Sequence, residues 1–133
     1  TVEMGEVIEV DGVVENVDNL YALQLQVEFN ADHLEVDDVE EDVVGVQVEY
    51  GELLNADFLV RNEADNEAGT ILYAISQMKP REPVGGNGVL AHIRFQGKAE
   101  GKAEVRVTHV ILATLEGTEI EAETGPGITL RVG

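Results

Sequence analysis

The strongest constraint on this chain is a period of two. From Tyr21 to Phe29, the residues Tyr21, Leu23, Leu25, Val27 and Phe29 alternate with Ala22, Gln24, Gln26 and Glu28. Successive side chains of an extended strand point to opposite faces, so this pattern describes a strand with one dry and one wet side. Asn30-Ala31-Asp32 then supplies turn formers. The alternation returns in Val89, Ala91, Ile93 and Phe95 against Leu90, His92 and Arg94, bounded by Gly85, Gly86 and Gly88 before and Gly97 after. Ile71, Tyr73 and Ile75 alternate with Leu72, Ala74 and Ser76, and here the second face is less polar. Val105 and Val107 open a further strand whose phase changes near Thr108-His109 before Val110 and Leu112, as a β-bulge would make it.

Weaker strands are expected over Glu6 to Val14, Leu34 to Val39, Val43 to Glu49, Asp57 to Arg61, Glu119 to Ala122 and Ile128 to Val132. Valine dominates the apolar residues, as a half-buried pleated surface prefers. No window of helical length carries a 3.6-residue apolar period. Turn signals fall between the strands: Asp11-Gly12, Asn55-Ala56-Asp57, Asp65-Asn66-Glu67-Ala68-Gly69, Glu116-Gly117 and Gly125-Pro126-Gly127. Many short strands at this spacing predict an all-β fold, an antiparallel sandwich or jelly roll. The 133 residues suit a single domain over 1–133, with no linker, tail or internal repeat.

Charge narrows the partners. Asp and Glu total 27 against 8 Lys and Arg, a formal net charge of -19. Such a field repels phosphate backbones and anionic headgroups, which sets nucleic acid and membrane surfaces aside. The hydrophobic content of 44%, ordered in alternation, argues against disorder. Lysine is confined to positions 79, 98 and 102, a balance that fits a surface hydrated in salty surroundings. No stretch approaches the roughly 18–20 apolar residues of a membrane span, so membrane insertion is not expected. There is no cysteine, hence no disulfide framework and no thiolate metal site. No signal peptide is visible at Thr1, as expected of a mature or trimmed chain.

Catalytic chemistry finds little support. The histidines, His33, His92 and His109, share no metal-ligand spacing, and surface or turn roles are expected for them. Ser76 is the one serine and lacks a nucleophile elbow. Gly85-Gly86-Asn87-Gly88 precedes a strand rather than a helix and lacks a phosphate-binding lysine, so a hairpin or entry loop is expected there. The acidic run Asp37-Asp38-Val39-Glu40-Glu41-Asp42 and the segment Asp65 to Gly69 lack the glycine and alternate-position ligands of an EF-hand; solvated loops are expected, with a structural Ca²⁺ on the dense carboxylates as the alternative. Tyr21, Phe29, Phe58, Tyr73 and Phe95 fall mostly on core faces, which leaves Tyr50 as the exposed ring. With no Trp and aromatics at 5%, a sugar-stacking platform is not expected.

Several stretches together resemble the cohesin family. Leu25-Gln26-Val27-Glu28-Phe29-Asn30-Ala31-Asp32-His33-Leu34-Glu35-Val36 looks like that family's strand, turn and strand, with Asn30-Ala31 standing where Asp-Pro is usual. Tyr50-Gly51-Glu52-Leu53-Leu54 looks like its following loop, Gly69 to Ala74 like its central strand, and Gly88 to Phe95 like its Gly-x-Leu/Phe-x-x-Ile-x-Phe strand. The close, Ile111-Leu112-Ala113 and then Gly127 to Val132, also fits, while the family's first strand is missing or short. The resemblance implies a jelly-roll sandwich of about nine strands with no catalytic activity and no cofactor. It implies binding to dockerins, small helical modules folded around Ca²⁺ loops, so that calcium sits on the partner and not on this chain. It places the chain in secreted or cell-surface, cellulosome-like scaffold proteins (scaffoldins). The implied docking sheet combines Leu20 to Phe29, Asp57 to Arg61, Gly69 to Gln77 and Val105 to Leu115. Its outward residues would be Ala22, Gln24, Gln26, Leu72, Ala74, Ser76 and Gln77, with Leu59, Arg61 and Leu115 beside them.

The residues agree independently on one point. Leu72 and Ala74 are apolar on a face that should be wet, and Gln24, Gln26, Ser76 and Gln77 rim them, as in a protein interface. The alternatives are a carbohydrate-binding module and a structural or adhesive module of a surface protein.

Overall fold

The alternating segments resolve into ten strands: β1 (Val7–Leu20), β2 (Ala22–Phe29), β3 (Leu34–Val36), β4 (Glu49–Tyr50), β5 (Phe58–Asp65), β6 (Thr70–Ser76), β7 (Val84–Gly97), β8 (Gly101–Ala113), β9 (Glu119–Ile120) and β10 (Ile128–Val132). This computed structural model describes residues 2–39, 42, 44–125 and 127–133, and contains no helix among them. All pairings between the strands are antiparallel. One sheet has four strands, with β7 paired to β1, β3 and β4. The other has six, in the order β10-β8-β2-β6-β5, with β9 also on β8. Ahead of β1, Val2 makes a parallel bridge to Val132 and is fully buried, and Met4 makes another to Gly97.

Packing follows the period. Leu23, Leu25, Val27 and Phe29 of β2, with Ile71, Tyr73 and Ile75 of β6, meet Ile93 and Phe95 of β7 in one core. Phe29 and Phe95 join the two sheets edge to face, with ring centroids 5.2 Å apart. The Tyr73 hydroxyl donates to the Leu90 carbonyl at 3.2 Å, and burial pushes its phenol pKa far up.

Amide side chains clamp the sheets where apolar ones would be expected. Asn62 of β5 accepts from Val48 N–H and donates to Val48 C=O, each at 2.9 Å. Asn66, in the β5–β6 turn, does the same for Val36 of β3 at 2.7 and 3.2 Å. Each amide completes a stretch of backbone that has no ladder partner there, which a buried peptide group requires. The turn itself is built by Asp65, whose carboxylate accepts the Glu67 and Ala68 amides, and by Gly69 at φ +76°. A Cβ at Gly69 would collide with the Phe29 carbonyl oxygen, so only glycine fits.

Several sequence expectations are corrected. Asp11-Gly12 is not a turn: β1 runs through it to Leu20 against β7. Gly85 to Gly88 is not a loop but part of β7, paired with the second half of β1. That ladder is bulged repeatedly and needs positive φ at Gly86, Asn16 and Asn19, which glycine and asparagine tolerate. Asn87 Oδ1 accepts the Asn16 amide at 2.7 Å and replaces a ladder bond. Leu90 is the extra residue between the Gly12–Ala91 and Val13–Val89 pairs, so Leu90 enters the core and Val89 lies half-buried, reversing the expected alternation. β3 stops at Val36, β9 at Ile120, and the segment expected from Val43 contributes only the Val46–Ala64 bridge and β4; Val43 lies outside the described residues. β5 extends to Asp65, past the expected end at Arg61, because inward Asn62 hides its period. Phe58, expected in the core, is exposed at this sheet edge.

Phe95→Ala is expected to cost about 3–5 kcal/mol, and Asn66→Ala about 1–3 kcal/mol because it strands the Val36 backbone groups. Denaturant midpoints at unchanged slope would check both.

Candidate functional site

The four segments expected to share a docking sheet do so, as β8-β2-β6-β5. Residues directly opposite in an antiparallel pair share a face, so the register maps the outer surface row by row. One row reads Ala113, Ala22, Ser76, Phe58; the next Ile111, Gln24, Ala74, Arg61; the next His109, Gln26, Leu72, Glu63; the last Arg106, Glu28, Thr70, Asp65. The centre is small or apolar: Ala22, Ala74, Leu72, Ile111 and Ala113. Gln24 and Gln26 of β2 lie among these residues, and the margin mixes charges of both signs (Glu28, Glu63 and Asp65 with Arg61 and Arg106) with His109, Ser76, Thr70 and Phe58. Its two arginines are ion-paired in exposed geometry, Arg61 to Glu63 at 2.6 Å and Arg106 to Glu28 at 3.6 Å, pairs that contribute little to stability.

Of the expected site residues, Ala22, Gln24, Gln26, Arg61, Leu72, Ala74 and Ser76 all lie on this face. Ala74 is only 7% exposed, because Gln24 and Arg61 flank its single methyl on the outer surface. Three placements change. Gln77 is not on the face: it is 2% exposed, its Oε1 accepts the Asn55 backbone and side-chain amides, and its Nε2 donates to the Glu82 carbonyl at 2.9 Å. It is a buried strut that closes the loops at the end of β6. Leu59 sits opposite Ile75 on the inward phase, exposed only because β5 is an edge. Leu115 lies outside the strands, in the β8–β9 turn, at 38% exposure.

Sequence reasoning missed Phe58, Ile111, Ala113 and His109 on the face. Phe58 stands where Leu59 was expected, since a bulge at Val60 shifts the β5 register. The signal for Ile111 was present: the phase change at Thr108-His109 turns Val110 and Leu112 inward and Ile111 outward.

The opposite face of the sandwich differs in kind. On the four-stranded sheet the outward residues include Glu9, Asp11, Glu35, Glu49, His92, Arg94 and Gln96. His92, expected as a plain surface histidine, lies among carboxylates with its side chain 12% exposed. It donates from Nε2 to Glu52 Oε2 at 2.7 Å and from Nδ1 to Asp11 Oδ1 at 2.6 Å, with Glu9 Oε2 at 3.2 Å from Nδ1. The hydrogen bonds to Glu52 and then to Asp11 hold the imidazolium up to about 9 against partial desolvation.

The other candidates recede. The Asp65 carboxylate is occupied in its own turn, and Asp38 accepts the Gln47 amide at 3.1 Å; Glu40 and Glu41 of the acidic run lie outside the described residues. Tyr50 tilts over Tyr73 at 6.2 Å, and Phe58 stands alone on the other sheet, so these two rings form no shared platform. Among the described residues no helix is long and apolar enough to cross a membrane.

Fold and face together define a jelly-roll interaction module. The family model for the cohesin domain matches residues 1–124, and the chain belongs to that family, whose members are non-catalytic interaction modules. Among solved structures it is similar to a type II cohesin domain from the cellulosome of Acetivibrio cellulolyticus, at 16% identity over 97% of this chain and 88% of that one, with a TM-score of 0.78. It is similar to a non-cellulosomal cohesin from the hyperthermophilic archaeon Archaeoglobus fulgidus, at 18% identity over 100% of this chain and 86% of that one, TM-score 0.74. It is also similar to the third cohesin of ScaC from Acetivibrio cellulolyticus, solved in complex with the ScaB dockerin, at 18% identity over 98% of this chain and 91% of that one, TM-score 0.77. No curated protein matches the chain.

The raised pKa of His92 carries a stability prediction. Its folded value lies above the unfolded one, so the contribution is fully present below about pH 6.5 and is lost as pH rises through about 9. In chelator-treated protein the thermal midpoint should fall across that window, and His92→Gln should flatten the fall. Equal slopes in both proteins would contradict it.

Proposed function

We propose that this chain is a non-catalytic docking module that binds a calcium-loaded, dockerin-type module through the outer face of the six-stranded sheet, in the assembly of extracellular or cell-surface complexes. The observation that carries the reading is the asymmetry of the two faces. One presents Ala22, Leu72, Ala74, Ile111 and Ala113 around Gln24 and Gln26, and the other presents mainly charged residues, with Val7 an apolar exception near its end. A small-residue centre with a polar rim lets a partner's surface approach the sheet closely, the anatomy of a protein interface. Gln24, Gln26 and Ser76 supply hydrogen-bonding groups beside that centre, and Arg61 and Phe58 border it along β5. The dockerin complex of the similar ScaC cohesin supports the partner class. Calcium in this reading belongs to the partner, whose fold it maintains. The net charge of -19 favours a partner with Lys or Arg at the contact, whose encounter is steered electrostatically.

Calorimetric titration with dockerins from the same source, in Ca²⁺ and then in excess chelator, tests the reading. Binding should vanish with the chelator. Ala74→Arg should weaken it by about 2 kcal/mol or more, roughly 30-fold, with the thermal midpoint within a few degrees of the unsubstituted protein. Glu35→Gln on the other sheet should leave it unchanged. Undiminished binding by a folded Ala74→Arg variant would overturn the assignment of the face. The association rate should also fall as salt is raised.

A further inference from the structure

We propose that Glu9, Asp11 and His92 form a binding site for a divalent transition-metal ion of the zinc class, on the outer face of the four-stranded sheet and apart from the docking face. The strand period places Glu9 and Asp11 side by side on β1, and the ladder sets Asp11 opposite His92 on β7. One oxygen from each carboxylate and one imidazole nitrogen lie within 4.8 Å of one another. Asp11 Oδ1 and Glu9 Oε2 both converge on Nδ1, at 2.6 and 3.2 Å. Ligands held about 2.0–2.2 Å from a tetrahedral ion stand roughly 3.4 Å apart, so small side-chain adjustments make room for one.

The remaining imidazole nitrogen points the same way. Nε2 is held by both Glu52 oxygens, at 2.9 and 2.7 Å. A carboxylate behind a metal-bound histidine has this role: it would keep the proton on Nε2, while the ion would displace the proton that Nδ1 donates to Asp11 in the free protein and take the lone pair left facing Glu9 and Asp11. The imidazole has only 12% of its side chain exposed, so its orientation is set by the surrounding fold. Three carboxylates face one imidazole and leave an excess of negative charge even when the ring is protonated. The nearby guanidinium of Arg94 is directed to Glu49 at 3.4 Å. One nitrogen with two carboxylates suits a borderline ion, whereas calcium and magnesium take oxygen ligands. The bound ion would tie β1 to β7 through ligands 81 residues apart, a spacing that no local sequence motif reveals.

The test is calorimetric titration of chelator-treated protein with Zn²⁺ in the presence of excess Ca²⁺. One saturable site per chain is expected, with a higher thermal midpoint in Zn²⁺. His92→Gln and Asp11→Asn should each weaken binding about tenfold or more, and Glu52→Gln by a smaller factor. Asp65→Asn, on the other sheet, should leave it unchanged. A second readout needs no variant: Zn²⁺ should shift the ring resonances of His92 and leave those of His33 and His109 in place. Absence of saturable binding, equal binding by folded His92→Gln, displacement by Ca²⁺, or shifts confined to the other histidines would each overturn the site and show only diffuse attraction to an acidic surface.

Discussion

The ladder between β2 and β8 holds one residue too many, and the candidate face depends on it. Gln26 pairs with His109 and Val27 with Val107, leaving Thr108 unmatched. Without that residue Val105 and Val107 could point into the core, or Val110 and Leu112 could, but not both pairs. Strict alternation would put one pair in water, at about 1.5–3 kcal/mol for each side chain so exposed. The bulge lets all of them turn inward, and the same half-turn brings His109, Ile111 and Ala113 to the outside beside Gln26, Gln24 and Ala22. A core-packing requirement thus composes one edge of the candidate face.

A second bulge, at Leu90, does comparable work in the facing sheet. It returns Leu90 to the core, where its carbonyl receives the Tyr73 hydroxyl, and it allows β1 to continue past Gly12 as a long bent strand. The outward positions of β1 and β7 before that bend are then fixed as Glu9, Asp11, His92 and Arg94. The two outer faces therefore diverge in chemistry although both grow from the same alternating core. One is small and apolar enough for close approach. The other concentrates opposite charges, whose mutual attraction is strongest around the partly buried imidazole. The exposed edge strand β5 carries Arg61 and Glu63 and a bulge at Val60, features that discourage edge-to-edge pairing with another copy.

What could be read from the sequence follows from where polar residues stand. β2, β6 and β10 each keep an unbroken set of apolar residues on the inward phase, and their periods locate them closely. The bulge at Thr108 was legible because valines on either side of it fall in opposite phases. β5 was cut short because Asn62 occupies an inward position, where its amide serves as a substitute for peptide groups. Gln77 was misread because the resemblance placed it on the outer face: by the alternation of Ile71, Tyr73 and Ile75 position 77 falls on the inward phase, and its amide is buried there against the loops. The glycines before Val89 read as a loop because their propensity is poor for strands, yet the tertiary ladder overrides it with bulges and an asparagine cap. The His92 cluster was illegible, since its members come from β1, β7 and the segment after β4.

Identities of 16–18% with TM-scores of 0.74–0.78 fit this division of labour. This chain holds its fold by the inward alternation, a few bulges and the amide clamps, and such requirements fix chemical type more than identity. Outward residues on a flat sheet face touch few neighbours, and substitutions there usually change stability by less than about 0.5 kcal/mol. They are free to define a partner without disturbing the core. In the proposed reading, specificity would rest on a small set: the glutamines at 24 and 26, the methyl groups of Ala22 and Ala74, and the branched side chains of Leu72 and Ile111. Ala74 would be the most demanding of these, because a methyl at 7% exposure leaves the backbone of the central strand open to close approach, and any larger side chain there would stand out from the sheet.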